Sequence, residues 1–169
     1  MNPMGKTLDA IILMGSFGSG KSYLGRRLGA EGIAAYIELE PVIYDLFGKG
    51  DAFNLEEATK YLRQSYYDQL SGQGLVAFES TGVVQRPLLL EIMEKYEIGL
   101  VHVVTAKDIC LERVANRNLD SNNPIDLSKA AEFFDYWNNE IAPTYSFALE
   151  VDGTDEKPAI QLIRMLIQK

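Results

Sequence analysis

The sequence predicts an α/β fold: a parallel sheet covered by helices on both faces. Two observations lead to this prediction. Short apolar runs at 8–14, 34–39, 75–79, 100–105 and 147–151 lack strict alternation, which indicates strands buried on both faces. Helical patterns fill the intervals between them, as in a sheet with crossover helices. At 169 residues, without an internal repeat or linker, residues 1–169 are expected to form a single domain.

The helical segments carry their own signals. Leu24 and Leu28 lie one turn apart after the first strand. Asn54 stands at an N-cap position with Glu57 at the capping-box position, and Pro87 falls in a first turn, where proline is tolerated. Further helices are predicted over 107–117, 126–141 and 155–169. The aromatic cluster at 133–137 is expected to pack in the core through Phe133, Phe134 and Trp137.

The composition limits the classes of function. A net charge of −8 disfavours a nucleic-acid partner, because an acidic chain repels the phosphate backbone. No apolar run reaches the roughly 20 residues needed to span a bilayer, and the N-terminus lacks the apolar region of a signal peptide. We therefore expect no membrane partner and a cytoplasmic location. With one cysteine and one histidine, Cys110 and His102 are expected to be packing residues.

A glycine-rich segment carries the strongest functional signal. Residues 15–22, GSFGSGKS, match G-x-x-x-x-G-K-[ST] between a buried strand and an amphipathic helix. Glycines let main-chain amides approach a ligand closely, and the helix N-terminus adds positive potential, so the segment predicts a phosphate site. Lys21 would contact the β- and γ-phosphates and Ser22 would bind Mg²⁺. The predicted nucleotide-binding residues are Gly15, Ser16, Phe17, Gly18, Ser19, Gly20, Lys21, Ser22 and Tyr23.

The chain resembles the small P-loop kinases of the shikimate kinase and gluconate kinase group, and more loosely the nucleoside monophosphate kinases. "ELE" at 38–40 stands where that group has D-x-D after strand 2, and "LFGKGDAFNLEE" is in register with a shikimate kinase segment. "LERVANRN" resembles the arginine-bearing helix before the ATP lid, and "VDGTDEKPAIQLI" the loop that borders adenine. The resemblance implies a three-layer α/β/α fold, five parallel strands in the order 2-3-1-4-5, and a lid around residues 118–126.

Three departures from the shikimate kinase pattern disfavour shikimate as the substrate. Asn54 occupies the position of the arginine that grips the shikimate carboxylate. "STG" at 80–82 replaces a G-G-G turn, and glutamates replace the aspartates of D-x-D. "ESTG" is instead similar to the acid-x-T turn of a broader set that includes polynucleotide and zeta-toxin-like kinases.

The strand order implied by the resemblance assigns further roles. Glu79, at the end of the third strand, would lie beside Ser22, and the two residues would bind Mg²⁺ together. The base is expected to be Glu40, which precedes a proline and should be held extended, with Glu38 and Asp45 as alternatives. Arg113 and Arg117 share one helix face and would stabilise charge on the transferred phosphoryl group. The predicted acceptor-binding residues are Glu38, Glu40, Ser80, Thr81, Gly82 and Arg86, with Arg63 as a second candidate cation.

These predictions favour a kinase that uses ATP and Mg²⁺ to phosphorylate a hydroxyl of a small metabolite, working as a monomer or homodimer. Two alternatives stay open. One is a nucleoside or nucleotide kinase of the same fold, and the other is an ATP-binding regulatory protein that transfers nothing. The sequence does not identify the acceptor.

Overall fold

A computed structural model of the chain describes residues 7–48, 50–72, 74–121 and 124–168. Its five strands are parallel: β1 (Ala10–Met14), β2 (Ala35–Tyr36), β3 (Val76–Ser80), β4 (Ile98–Val104) and β5 (Leu149–Asp152). Their order is β2-β3-β1-β4-β5, which confirms the predicted order. Every residue of the central strand β1 is buried, as expected for a strand covered on both faces.

Helices follow each of the strands. They are α1 (Lys21–Ala30), α2 (Glu40–Phe47), α3 (Leu55–Leu70), α4 (Arg86–Lys95), α5 (Lys107–Leu119), α6 (Leu127–Tyr136) and α7 (Glu156–Ile167). A short 3-10 turn, Gly50–Ala52, precedes α3. A π-helical turn, Trp137–Ile141, and a 3-10 turn, Ala142–Thr144, continue the chain after α6.

Two apolar cores lie on opposite faces of the sheet and account for the three layers. Ile12, Met14 and Phe78 belong to the core that includes buried residues of α2, α3 and α4. Ile11 and Leu13, which point the other way along β1, belong to the core that includes α1 and α7. Because the hydrophobic effect favours burial of both faces of β1, the sheet lies between two layers of helices.

The strand register brings the functional segments to one edge of the sheet. Met14, the last residue of β1, is level with Ser80, the last residue of β3, and Leu13 is level with Glu79. The loop after β1 and the turn after β3 consequently lie side by side at the carboxyl edge, where ligands bind in open parallel sheets.

The segment after β2 differs from the prediction. The strand predicted over 34–39 is only two residues long, and Glu40 begins helix α2 rather than lying in extended chain, so that expectation was wrong. Pro41 in the first turn costs no intrahelical hydrogen bond, because amides there lack a partner in any helix. Buried Leu39 and Ile43 stand four residues apart, a helical spacing present in the sequence.

The predicted N-cap of α3 is confirmed. The Asn54 side chain accepts a hydrogen bond of 3.1 Å from the Glu57 amide. In a full capping box, the Glu57 carboxylate would accept a hydrogen bond from the Asn54 amide. Here the Asn54 amide donates to the Phe47 carbonyl instead (2.9 Å), and the Glu57 carboxylate pairs with Lys60. The cap thereby ties α3 to the end of α2.

His102 and Cys110 lie in packed surroundings. The His102 ring lies 4.9 Å from the Trp137 ring and 4.8 Å from the Phe147 ring, and Nδ1 is 3.0 Å from a Glu150 carboxylate oxygen. Cys110 is a free, buried thiol on α5.

Across the described ranges, none of the helices has both the length and the apolar character that crossing a membrane requires.

Replacing Asn54 tests how much its side-chain cap stabilises the protein. We expect Asn54→Ala to lower the free energy of unfolding by about 1 kcal/mol, because an orphan helix amide loses its acceptor. Asn54→Asp keeps the acceptor and should stay close to wild type. Urea unfolding followed by circular dichroism measures both; equal stability of the alanine and wild-type proteins would show that the cap contributes nothing.

Candidate active site

The loop between β1 and α1 has a backbone that requires glycine. Gly18 and Gly20 have φ values of 76° and 102°, in the left-handed region that other residues rarely adopt. A Cβ atom on Gly18 would also lie 2.3 Å from the carbonyl oxygen of Cys110 on α5. The glycines of the sequence pattern therefore serve both conformation and close packing against the neighbouring helix.

Lys21 folds back over the start of this loop. Its ammonium donates to the carbonyls of Gly15 (2.9 Å) and Ser16 (2.8 Å), and the side chain is buried. Burial lowers the pKa of Lys21, while the charges of Glu79 and Glu40 oppose that shift. The lysine has no salt bridge with a carboxylate in the described part of the chain, so a positive charge is available at the loop.

Two donors from outside the loop hold its remaining carbonyls. The Arg113 guanidinium donates to Gly18 (3.1 Å) and to Gly153 after β5 (3.0 Å). The Thr105 hydroxyl donates to the Ser19 carbonyl at 2.8 Å. Because these carbonyls are occupied, the loop is held in place by hydrogen bonds to its carbonyl oxygens rather than by hydrogen bonds from its amides.

The main-chain amides at the start of α1 are left without protein partners. Within the described residues, no hydrogen bond is made by the amides of Gly18, Gly20, Lys21 or Ser22. Such amides carry partial positive charge, which the aligned peptide dipoles of a helix reinforce. Together with Lys21, they make a candidate anion site with the donors that phosphate groups require; it is called the anion site below.

A hydroxyl, a carboxylate and a phenol meet beside this anion site. The Ser22 hydroxyl lies 2.9 and 2.7 Å from the two Glu79 oxygens, and the Tyr36 hydroxyl donates to Glu79 at 3.0 Å. Burial and the Glu79 carboxylate raise the pKa of Tyr36, which keeps it a donor. A Cβ on Gly25 would lie 2.2 Å from the Tyr36 ring, so this glycine on α1 makes room for the ring.

Glu40 is the second acid at this edge. One carboxylate oxygen accepts from the Ser80 hydroxyl at 2.6 Å, and the other lies 3.4 Å from the Thr81 amide. The Ser80 hydroxyl in turn accepts from the Gly82 amide at 2.8 Å, so its own proton is directed to Glu40. Burial raises the pKa of Glu40 to about 7, against the lowering effects of Ser80, Thr81 and Lys21.

The turn at 80–82 is held from behind by two aromatic donors. Trp137 Nε1–H donates to the Thr81 carbonyl at 2.7 Å, and the Tyr145 hydroxyl donates to the Gly82 carbonyl at 2.6 Å. Gly82 has a φ of 69°, which again favours glycine. The turn that contacts Glu40 is thus anchored to the segment after α6.

The two predicted phosphoryl-binding arginines lie in different surroundings. The Arg113 guanidinium donates hydrogen bonds to the Gly18 and Gly153 carbonyls. Arg117, one turn further along α5, is exposed, and its charge lowers the pKa of Lys21. Two cations, Lys21 and Arg117, therefore lie within electrostatic range of one another beside the anion site.

A cavity of about 180 Å³ adjoins the loop on the side of β5. Exposed Tyr23 stands at this cavity, where a hydrogen bond to Glu156 raises the pKa of its phenol. The residues that line it are Gly20, Tyr23, Leu24, Arg113, Asp152, Gly153, Thr154 and Glu156. They include the predicted adenine-bordering loop.

Other predicted acceptor residues are engaged with protein groups. Glu38 forms an ion pair of 2.8 Å with Arg26 on α1. Arg63 pairs with Glu91 on α4. Asp45, the alternative base, is exposed on α2. Of the three predicted acids, the structure places Glu40 against the 80–82 turn.

Arg86 follows the same turn and packs against the segment after α6. Its guanidinium lies 4.7 Å from the centre of the Tyr145 ring and donates to the Thr144 hydroxyl. Through Tyr145, Arg86 supports the residue that binds the Gly82 carbonyl.

The predicted lid at 118–126 is a short connection between α5 and α6, of which Asn122 and Asn123 lie outside the described residues. The Asn118 side chain closes its base by bonding the main chain of Ile125 twice, at 2.7 and 2.9 Å. Asp126 caps α6 by accepting from the Ser128 and Lys129 amides.

Sequence reasoning missed several residues that shape this site: Tyr36, Thr105, Trp137 and Tyr145. The apolar run that contains Tyr36 predicts a strand. The contact of Tyr36 with Glu79 depends on the space that Gly25 leaves, because it has no side chain. Trp137 and Tyr145 look like core residues, and they are buried, but each also carries one polar atom that must find a partner. Their partners are far away in sequence and follow only from the fold.

Comparisons with known proteins establish the fold. Neither a protein-family model nor a curated protein sequence matches the chain. Solved structures do. A shikimate kinase from Bacteroides thetaiotaomicron is 18% identical with a TM-score of 0.62, over 95% of this chain and 98% of that chain.

Two further solved structures are of kinases whose names indicate other acceptors. A gluconokinase from Sinorhizobium meliloti 1021 is 14% identical with a TM-score of 0.57, over 94% of this chain and 89% of that chain. A deoxyadenosine kinase from M. mycoides with bound dATP is 13% identical with a TM-score of 0.61, over 95% and 100%. The chain thus has the fold of small P-loop kinases, as the sequence resemblance implied.

Removing the Ser80 hydroxyl tests the contact that orients Glu40. We expect Ser80→Ala to raise the pKa of Glu40 by about one pH unit, because a hydrogen bond to a carboxylate contributes about 1.5 kcal/mol. Carbon-13 NMR of the glutamate carboxyl groups as a function of pH measures the change. Thr81→Ala is the control, since it keeps the amide that contacts Glu40; an unchanged pKa in Ser80→Ala would contradict the arrangement.

The raised pKa of Glu40 also predicts a pH dependence of stability. The group binds its proton more tightly in the folded chain, with a pKa of about 7 against an ordinary 4.5. Its contribution to the free energy of unfolding is therefore full below pH 4.5 and is lost as the pH rises through 7.

We expect Glu40→Gln to remove this part of the pH dependence. Urea unfolding of both proteins at a series of pH values, corrected for the pH dependence common to the chain, gives the difference. A variant whose stability falls as steeply as that of wild type over this range would show that Glu40 titrates normally.

Proposed function

We propose that the protein is an ATP-dependent kinase that phosphorylates a hydroxyl group of a small molecule. The observation that carries the proposal concerns the amides of Gly18, Gly20, Lys21 and Ser22 and the buried Lys21 side chain. Among the described residues these amides have no hydrogen-bond partner and the lysine has no carboxylate partner. In a chain of net charge −8, this local concentration of donors and positive charge favours a polyphosphate ligand. The adjoining 180 Å³ cavity lies where the nucleoside part of ATP would bind.

Ser22 and Glu79 fit a magnesium ion. Mg²⁺ prefers oxygen ligands and is commonly bound through one or two carboxylates, a hydroxyl and phosphate oxygens. The Ser22 hydroxyl and both Glu79 oxygens lie within 2.9 Å of each other beside the anion site. The ion, when bound, supplies charge neutralisation for the phosphate oxygens. Tyr36 holds the Glu79 carboxylate in place.

Glu40 is the proposed base. The acceptor hydroxyl oxygen forms a bond to the γ-phosphorus, the bond from that phosphorus to the β,γ-bridging oxygen breaks, and the hydroxyl proton passes to Glu40. The products are ADP and a phosphate ester. A carboxyl pKa of about 7 suits a group that gains and loses a proton near neutral pH. Because phosphoryl transfer depends chiefly on positioning and charge, the base is a modest contributor.

Ser80 acts as a positioning residue in this scheme. It is 1% exposed, and its hydroxyl is occupied by Glu40 and the Gly82 amide, so it orients the base rather than contacting the acceptor. Thr81, Gly82 and Arg86 would shape the acceptor side of the turn. Glu38 would act indirectly, through its ion pair with Arg26 on the helix that begins with Lys21.

The two arginines of α5 would have different roles in the reaction. Arg117 is exposed near Lys21 and would stabilise charge on the transferred phosphoryl group. The contacts of Arg113 favour a supporting role, since it joins the phosphate-binding loop to Gly153 and lines the nucleoside cavity. Closure of the segment around 118–126 would bring Arg117 to the phosphates and exclude water.

Lys21→Ala tests the proposal. We expect ATP-dependent phosphorylation to fall by about 10²-fold or more, because the variant removes a preorganised cation from the phosphates. Calorimetry measures ATP binding with and without Mg²⁺, and ADP release in the presence of hydroxyl compounds measures transfer.

Lys107→Ala is the matched control, since Lys107 is a surface residue of α5 paired with Asp135. Wild-type ATP affinity in Lys21→Ala would refute the phosphate site. Tight ATP binding without stimulation by any hydroxyl compound would instead identify a nucleotide-binding regulatory protein.

A further inference from the structure

The charges around the acceptor side indicate the class of acceptor, given the proposed function. We infer that the acceptor is an uncharged, ring-containing alcohol, such as a sugar or a nucleoside, rather than a hydroxy acid or a phosphorylated compound. The inference comes from how the basic side chains of this region are used, from the acids that face the 80–82 turn, and from an exposed aromatic surface beside Glu40.

Three basic side chains of α3 and α4 are paired with acids of these two helices. The lysine and the arginine of α3 and the lysine of α4 are paired as follows: Lys60 with Glu56 and Glu57, Arg63 with Glu91, and Lys95 with Glu91 and the Tyr67 hydroxyl. Lys49 lies outside the described residues. An anionic acceptor would have to break one of these pairs to gain a counter-ion.

The Arg86 guanidinium is directed to protein groups. It stacks on the Tyr145 ring and donates to the Thr144 hydroxyl, both on the segment after α6. Tyr145 in turn donates to the Gly82 carbonyl. Moving Arg86 to bind a carboxylate or phosphate would therefore remove support from the turn that contacts Glu40.

The acids of the site would repel an anion. Glu40 begins α2 and contacts the 80–82 turn, and Glu79 is the penultimate residue of β3 at the same sheet edge. In the ionised form that could take up a proton, Glu40 raises the cost of another negative charge beside it. Lys21 and Arg117, the cations near them, are placed at the phosphate loop, where ATP would take up their charge. An uncharged hydroxyl compound avoids this repulsion.

An aromatic pair made of exposed Tyr44 and partly buried Phe53 provides a surface for a ring. Tyr44 on α2 is 43% exposed, and its ring lies 5.1 Å from that of Phe53. Burial and the Glu40 charge raise the pKa of Tyr44, which places its phenol within electrostatic range of the base. Aromatic faces pack well against the apolar faces of sugar and base rings.

A matched panel of acceptors tests the inference. Uncharged compounds (aldoses, cyclic polyols and ribo- and deoxyribonucleosides) are compared with anions of similar size (gluconate, shikimate and nucleoside monophosphates). ADP release with ATP and Mg²⁺ is measured, and phosphorus-31 NMR identifies the ester. We expect an uncharged ring compound to be phosphorylated with a kcat/KM at least about tenfold above that of its anionic counterpart.

Tyr44→Ala adds a second readout that is tied to the ring surface. We expect it to raise KM for the uncharged acceptor by about tenfold, which corresponds to about 1.4 kcal/mol, and to leave ATP affinity at the wild-type value. Leu46→Ala is the control on the same helix: Leu46 is 56% exposed, so the substitution should leave KM unchanged.

The outcomes separate this inference from the proposed function. Preferred phosphorylation of an anionic acceptor would overturn the inference and leave the kinase proposal standing. An unchanged KM in Tyr44→Ala would also overturn it, because the ring surface would then lie outside the acceptor site. ATP binding without transfer to any compound would overturn the kinase proposal itself.

Discussion

The site depends on the contact between the Lys21 ammonium and the carbonyls of Gly15 and Ser16. The amides of Gly20, Lys21 and Ser22 at the end of the loop have no hydrogen-bond partner among the described residues, while the lysine occupies acceptors at its start. Arg113 and Thr105 do the same for Gly18 and Ser19. A loop whose carbonyls are occupied by side-chain donors, and whose final amides have no hydrogen-bond partner among the described residues, is electropositive even in a strongly acidic chain.

The sheet brings the acids to this positive loop. Because β3 lies next to β1 and their last residues are level, Glu79 reaches Ser22, and Ser80 is followed by the turn that receives Glu40. The two carboxylates differ in their partners. Glu79 accepts from two hydroxyls, whereas the pKa of Glu40 is raised to about 7 by burial. The difference in environment suits one acid to a cation and the other to a proton.

A supporting layer of residues connects the site to the rest of the fold. Trp137 and Tyr145 hold the carbonyls of Thr81 and Gly82, and Tyr36 holds Glu79. Phe17, in the phosphate-binding loop, stacks on Phe133 of α6 at 4.5 Å. Helix α6 and the turns after it therefore contact both the loop after β1 and the turn at 80–82.

The sequence by itself determined the fold class, the Asn54 cap and the glycine-rich loop after β1. These features are local: glycine spacing, Asn54 before an apolar period, and buried apolar runs are read within a few residues. Helix α2 carried such a signal in Leu39, Ile43 and Phe47, but Pro41 favoured extended chain, and burial of Leu39 and Ile43 decided in favour of the helix. Only the tertiary structure paired Glu40 with Ser80, Glu79 with Tyr36, and Arg113 with Gly18. Those contacts join residues 40 to 95 positions apart. They depend on strand register, on the burial of each partner and on gaps such as the one at Gly25, none of which is written in a local pattern.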